Sequence, residues 1–299
     1  MKKYRKHFIL LLLALGITNA QLWSKPVVVP FSLENNCIYI YCKVNETDSL
    51  KFLFDTGANG SVINARSKHK LRLNINGNTQ NVGANGANEV EIAKDNTISF
   101  GTITKDKVAL TVIPYETVAF DGVFGTNLMK GRIVAIDYDA QRLVFYEKQD
   151  KIDYAGFDKQ RLYMVDDYPA VKCSLLVKDK VYSGLFGLDS GADDALTVAA
   201  PFAAKNRLSA FMERTGTSTS QGSDGSAYEQ PVVRCPEIKF SNKHLYNFHI
   251  TLSRSKEGID ATDKMAGFFG NNLLKRFNTI IDFEQEVIYF KLNENLYSG

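Results

Sequence analysis

Two short segments of this sequence place a carboxylate beside a hydroxyl, a glycine and an alanine: Asp55-Thr56-Gly57-Ala58 and Asp189-Ser190-Gly191-Ala192. Each follows an apolar run, Phe52-Leu53-Phe54 in one case and Leu185-Phe186-Gly187-Leu188 in the other. Both aspartates therefore stand at the end of a buried strand, at the mouth of a core. The glycine lets the backbone turn sharply and approach a neighbour closely. The Thr or Ser hydroxyl can bond across to the other copy. Two carboxylates held about 3 Å apart cannot both ionise, so they share a proton and titrate as a coupled pair. Such a pair offers one group to take a proton and another to give one, which is general acid–base chemistry.

The elements that must position these aspartates are also written twice. Gly122-Val-Phe-Gly125 finds an echo in Gly267-Phe-Phe-Gly270, and Ile133-Val-Ala-Ile-Asp137 in Thr279-Ile-Ile-Asp282. Asp55 and Asp189 lie 134 positions apart, whereas Gly125 to Gly270 and Asp137 to Asp282 are both 145. The landmarks keep their order, and the second copy carries eleven more residues in its middle. Three landmarks in one order twice identify an internal duplication. If an approximate two-fold axis relates the copies, the two Asp turns meet on it. Asp137 and Asp282, duplicated strand-end residues, read as structural.

Between the landmarks, short β-branched or aromatic runs such as Ile38–Tyr41, Val108–Ile113 and Phe248–Leu252 are bounded by polar turns and read as strands. Gly83-Ala-Asn-Gly86 and Gly222-Ser-Asp-Gly225 read as hairpin tips. Helices are expected only over Val198–Leu208 and Asn272–Phe277. The division that follows is a signal segment 1–20, a first lobe 21–148, a connection 149–165 and a second lobe 166–299. The fold class is mainly β with two duplicated lobes.

These residues carry a resemblance. The sequence resembles the pepsin-like and retropepsin-like aspartic peptidases, whose marks are Asp-Thr/Ser-Gly and a later hydrophobic-hydrophobic-Gly, here Val123-Phe124-Gly125 and Phe268-Phe269-Gly270. The resemblance implies a two-lobed acid-protease fold with β-barrel lobes and a cleft between them. It implies catalysis by Asp55 and Asp189, with Thr56, Gly57, Ala58, Ser190, Gly191 and Ala192 shaping the turns, and with the strands at Gly125 and Gly270 supporting them from behind. Ala58 and Ala192 resemble the retroviral branch, while covalent duplication is the pepsin arrangement. The expected activity is an aspartic endopeptidase on peptide or protein substrates. The alternative is a non-catalytic binding or inhibitory protein on the same fold. Gly83, Gly86, Gly222 and Gly225 are the expected flap residues over the cleft. The single-flap pepsin plan has a Tyr near its tip, whereas here Tyr228 lies near the second tip. Ala58 and Ala192 offer no hydroxyl to a carboxylate, and Asp193 and Asp194 add negative charge. Both features are expected to raise the pair's pKa values.

Met1 to His7 carry four Lys or Arg residues, Phe8 to Ile17 are uncharged and Leu-rich, and Thr18-Asn19-Ala20 supplies small residues. This is the order of a secretory signal cleaved near Ala20, and the apolar run is about half the ~20 residues a spanning helix needs. Export to the periplasm or medium, with no membrane span afterwards, is the expectation. The net charge of +3 is spread without a basic face, so nucleic acid is not an expected partner. Cys37, Cys42, Cys173 and Cys235 allow three pairings if oxidised, and buried thiols account for them equally. Cys37 and Cys42, five apart on one strand, face opposite ways. Only His69, His244 and His249 follow the signal segment, in no zinc-like spacing, so neither metal nor cofactor is expected. A GxSxG elbow is missing too, which disfavours a serine hydrolase. Because the duplication supplies both carboxylates from one chain, a monomer is expected.

Overall fold

The structure, a computed structural model, describes residues 25–115 and 118–297. The expected signal segment 1–20 lies outside the described residues. Three sheets account for the architecture. The first lobe is an eight-stranded sheet in the order Ser32–Glu34, Cys37–Val44, Leu50–Phe54, Gly122–Phe124, Ser61–Asn64, Ile103–Ile113, Ala87–Phe100, Ile75–Val82. Cys37–Val44 also pairs with Ala87–Phe100, which closes the strands between them into a barrel. The second lobe repeats the plan with Tyr163–Val165, Tyr168–Val177, Lys180–Asp189, Gly267–Gly270, Leu196–Val198, Lys243–Leu252, Ala227–Phe240 and Glu213–Gln221. There, Tyr168–Val177 closes on Ala227–Phe240. The two-lobed, mainly β fold read from the sequence is the fold observed.

The third sheet joins the lobes. Its order is Val27–Pro30, Arg142–Tyr146, Ile133–Asp137, Phe277–Asp282, Val287–Leu292, Asp158–Arg161. At its centre Ala135 lies opposite Ile280, its own counterpart in the repeat, with Val134 opposite Ile281 on one side. An approximate two-fold axis therefore passes between Ala135 and Ile280. Asp137 and Asp282 close the hairpins that follow them: Asp137 accepts from the Ala140 N–H and Asp282 from those of Glu284 and Gln285. The strand Tyr163–Val165 leads from the shared sheet into the second barrel.

Aromatic packing obeys the same symmetry. Phe124 meets Phe100 edge-on at 4.8 Å, and Phe100 lies 5.1 Å from Phe145. Phe269 meets Phe240 edge-on at 4.9 Å, and Phe240 lies 4.8 Å from Phe290. Each such pair contributes about 0.5–1.5 kcal/mol beyond its buried area. Because Phe124 and Phe269 directly precede Gly125 and Gly270, the two cores fix the strands that back the Asp turns.

Both helix expectations need correction. Val198 ends the strand Leu196–Val198, and the helix covers only Ala200–Lys205, with Pro201 in its first turn. Arg207, in a left-handed conformation at φ +51°, then breaks the chain into a short 3-10 turn at Leu208–Ala210. Likewise Asn271–Leu274 is a single turn, and Phe277 begins a strand paired with Leu292. Burial of Phe277 among Phe240 and Phe290 outweighs local helical preference. All four cysteines are free and buried. Cys42 sits in the barrel core while Cys37 faces the other way, towards the Asp turns.

Candidate active site

The parallel pairing of Leu50–Phe54 with Gly122–Phe124 delivers Asp55, and that of Lys180–Asp189 with Gly267–Gly270 delivers Asp189. The backing glycines lie close beneath the turns. A side chain at Gly125 would collide with the backbone of Gly60 and Ala58, and one at Gly270 with the backbone and carboxylate of Asp194. The Thr126 N–H donates to the Ala58 carbonyl (2.8 Å), and the Asn271 N–H to that of Ala192 (2.7 Å).

The turns grip each other across the axis. The Thr56 N–H donates to Ser190 Oγ and the Ser190 N–H to Thr56 Oγ1, both at 3.0 Å. Each hydroxyl then donates to the strand of the opposite lobe: Thr56 to Leu188 O at 2.7 Å and Ser190 to Phe54 O at 2.9 Å. Both residues are buried, at 2% and 1% exposure, so every donor in this four-bond lattice depends on its partner. The glycines permit the close approach. A Cβ on Gly57 would stand 2.7 Å from the Asp189 carboxyl carbon, and one on Gly191 2.5 Å from that of Asp55.

Asp55 and Asp189 are hydrogen-bonded to each other. Burial pushes the Asp55 carboxyl well above the usual carboxylate range, and the charge of Asp189 adds to the rise, opposed by the N–H groups of Gly57 and Ala58. Asp189 is also raised by burial. It is held lower by the Tyr168 hydroxyl first, then by Asp55 and by the N–H groups of Gly191 and Ala192. The upward direction agrees with the expectation from sequence, but its main cause is burial. The alanines contribute an opposing effect through their backbone N–H groups.

Both hairpin tips lie together. Gly83 N–H donates to Gly86 O (2.9 Å) and Gly225 N–H to Gly222 O (3.0 Å), with Gly225 at φ +83°. Asp224 of the second tip packs against Gly83, Gly86 and Gly222. The first tip also reaches the second lobe, where the N–H groups of Ile259 and Asp260 donate to Gly83 O (3.0 Å) and Ala84 O (2.9 Å). Tyr228 is 37% exposed.

Sequence reasoning missed Tyr168. A Cβ on Gly57 would stand 2.5 Å from its hydroxyl, which bonds the Asp189 carboxylate. Its ring is wedged edge-on against Phe268 at 5.2 Å and against Gly187. Burial, reinforced by both aspartates, raises the phenol's pKa well above its ordinary value, so it remains a donor. Strand register gives its first-lobe counterpart: Ala170 faces Gly187 as Tyr39 faces Leu53, so Tyr168 corresponds to Cys37. The Cys37 thiol reaches Gly191 O at 3.6 Å. Also unsignalled by any motif were Gln230 and Asp260, buried on the second-lobe side. Among the described residues, no group of three or more His, Cys, Asp or Glu is placed to hold a metal ion, and no helix is long and apolar enough to cross a membrane.

Residues 40–128 match the aspartyl protease family model. The chain superposes on the crystal structure of an aspartic proteinase from Irpex lacteus with a TM-score of 0.60 at 11% identity, covering 92% of this chain and 99% of that one. That likeness concerns the fold. No curated protein matches the sequence.

Proposed function

We propose that the protein is an exported endopeptidase acting through Asp55 and Asp189, a reading supported by the aspartyl protease match over residues 40–128 and by the fold shared with an aspartic proteinase. The observation that carries this reading is the reciprocal lattice of Thr56 and Ser190, which holds two mutually hydrogen-bonded carboxyls on the pseudo-two-fold axis. The pair shares one proton. The Tyr168 hydroxyl bonds Asp189 only, which favours Asp189 as the ionised member and Asp55 as the protonated one.

The steps follow from that assignment. Asp189 takes a proton from a water lying between the carboxyls, and the water oxygen attacks the peptide carbonyl. Asp55 donates its proton towards the carbonyl oxygen. The tetrahedral species then collapses, with a proton passing to the leaving amine, and the pair returns to its shared-proton state. The joined tips of Gly83–Gly86 and Gly222–Gly225 serve as two flaps that close over a bound peptide and exclude water. One chain supplies both carboxyls, so a monomer suffices. The basic, apolar and small-residue order of residues 1–20 supports export.

The test is cleavage of a mixed peptide pool across pH by wild-type protein and by Asp55→Asn and Asp189→Asn variants. Products from wild type alone support the reading. Equal products from all three proteins would sink it.

A further inference from the structure

The two lobes present different chemistry to the Asp turns at positions that strand register makes equivalent. In the first lobe Val62 faces Val123 on one side and Thr111 on the other. In the second lobe Thr197 faces Phe268 and Thr251. Val62 thus corresponds to Thr197, and Ile113, two residues past Thr111, corresponds to Ser253. Val90 stands three residues after the strand restarts at Ala87, and Gln230 three after Ala227. The first-lobe residues join one apolar cluster with Phe120, Cys37 and Ala58 of the catalytic turn. At each of these positions the second lobe substitutes a hydroxyl or an amide.

Two carboxylates accompany them. Thr197 donates to Asp194 at 2.7 Å, and Asp260 lies beside Gln230 and Ser253. Burial raises Asp260 to about 6 and Asp194 to about 7, and both feel the charge of Asp189. The groups acting on them are hydroxyls, an amide and other carboxylates, with no cation among them. Gln230 is 0% exposed, and its amide lies beside the Asp260 carboxylate without making a hydrogen bond of good geometry to any side chain or backbone group. Asp260, 5% exposed, has one carboxylate oxygen in the same condition. Buried polar atoms without good partners are costly, so a wall that keeps several is built to meet a ligand. What covers this wall is the first hairpin tip, held by the Asp260 N–H on Ala84 O. A substrate that lifts the tip gains access to it.

We infer that the second-lobe wall is a specificity subsite for a cationic substrate side chain, lysine or arginine, with Asp260 and Gln230 as its recognising groups. Lysine brings three donors and arginine five, and neither needs to accept. Gln230 Oε1 and the Asp260 carboxylate supply acceptors, and pairing with a cation turns a costly buried carboxylate into a charge-assisted bond. The apolar first-lobe wall gives such a cation nothing. Substrates therefore carry the cation on one side of the scissile bond only. This inference rests on the peptidase reading above.

The experiment is cleavage-site profiling of a peptide library, followed by kcat/KM on matched peptides with lysine or its uncharged isostere norleucine at the selected position. Wild type is expected to enrich lysine and arginine at one position adjoining the cut. Both Asp260→Asn and Gln230→Val, the latter installing the first-lobe residue, are expected to lower the lysine-to-norleucine ratio about tenfold or more. Calorimetric binding of the same peptides to Asp55→Asn protein guards against a variant that folds poorly, because it reads recognition without turnover. Cleavage with no cationic preference, or an unchanged ratio in both variants, overturns the subsite and leaves the peptidase standing. No cleavage by wild type overturns the peptidase reading, and the subsite falls with it.

Discussion

The first lobe sets Phe100, Phe124 and Phe145 into its barrel, and the second sets Phe240, Phe269 and Phe290 at equivalent positions with nearly the same spacings. Elsewhere the same two barrels diverge: Val62, Val90, Ile113 and Cys37 in the first correspond to Thr197, Gln230, Ser253 and Tyr168 in the second. The contrast separates two physical demands. Cores and turns must match because both lobes build one junction on one axis, and an unequal pair of turns could not exchange Thr56 and Ser190 reciprocally. The walls are under no such constraint. A peptide runs in one direction and has no two-fold symmetry, so unlike walls suit it better than like ones.

The largest effect tests the symmetric half of that contrast. Asp55→Asn and Asp189→Asn are each expected to lower kcat by about 10³-fold or more, since either change removes half of a shared acid–base pair. Stopped-time assays on a cleaved library peptide read this. Substantial activity in one variant would break the equivalence of the turns.

Next is the lattice. Thr56→Val and Ser190→Ala should each destabilise the protein by about 1–3 kcal/mol in urea, because each strands a buried N–H of the opposite lobe. Costs that differ widely would show that one lobe carries the junction. Loss of a surface hydroxyl such as Ser174, which bonds only Ser183 at an exposed position, should change stability far less.

The walls themselves give the third test. Asp260 has its folded pKa raised from 3.8 to about 6, so its contribution to stability is fully present below pH 4 and is lost as pH rises through about 6. Asp260→Asn, which stays neutral, is therefore expected to be more stable than wild type by about 3 kcal/mol at pH 8 and equal to it near pH 3.5. Denaturation at the two pH values checks the sign. The apolar first wall offers no ionisable group at Val90 or Ile113, so the contrast predicts that this dependence belongs to the second lobe.

How much of this the sequence could show follows the same line. Asp55, Asp189, Gly125 and Gly270 were legible because core and turn residues keep their identities across the repeat, at offsets of 134 and 145. Tyr168 and Cys37 lie 131 apart and share no chemistry, and Gln230 resembles Val90 no better. Only strand register, which is tertiary information, makes these positions equivalent. The short helices were overextended for a related reason. Val198 and Phe277 are periodic enough to prolong a helix, but Val198 is claimed by Leu252 in a distant strand and Phe277 by Leu292 in the strand that follows it.

The finest test sets Tyr168 against Cys37, a wall pair that reaches the Asp189 turn from both lobes. The phenol bonds the Asp189 carboxylate and lowers its pKa, whereas the thiol stops at the Gly191 carbonyl, 3.6 Å away and a weak contact for sulfur. Removing the phenolic hydroxyl in Tyr168→Phe deprives the ionised carboxylate of a donor, so its pKa must rise. The acid limb of the kcat/KM profile should then move to higher pH, with about a threefold to tenfold loss of rate on its acid side. Cys37→Ala withdraws no hydrogen bond from either carboxylate, and its acid limb should stay in place. A change in fold stability alone would lower both profiles without moving either limb, so the position of the limb, rather than the height of the curve, decides whether the asymmetry of the walls reaches the shared proton.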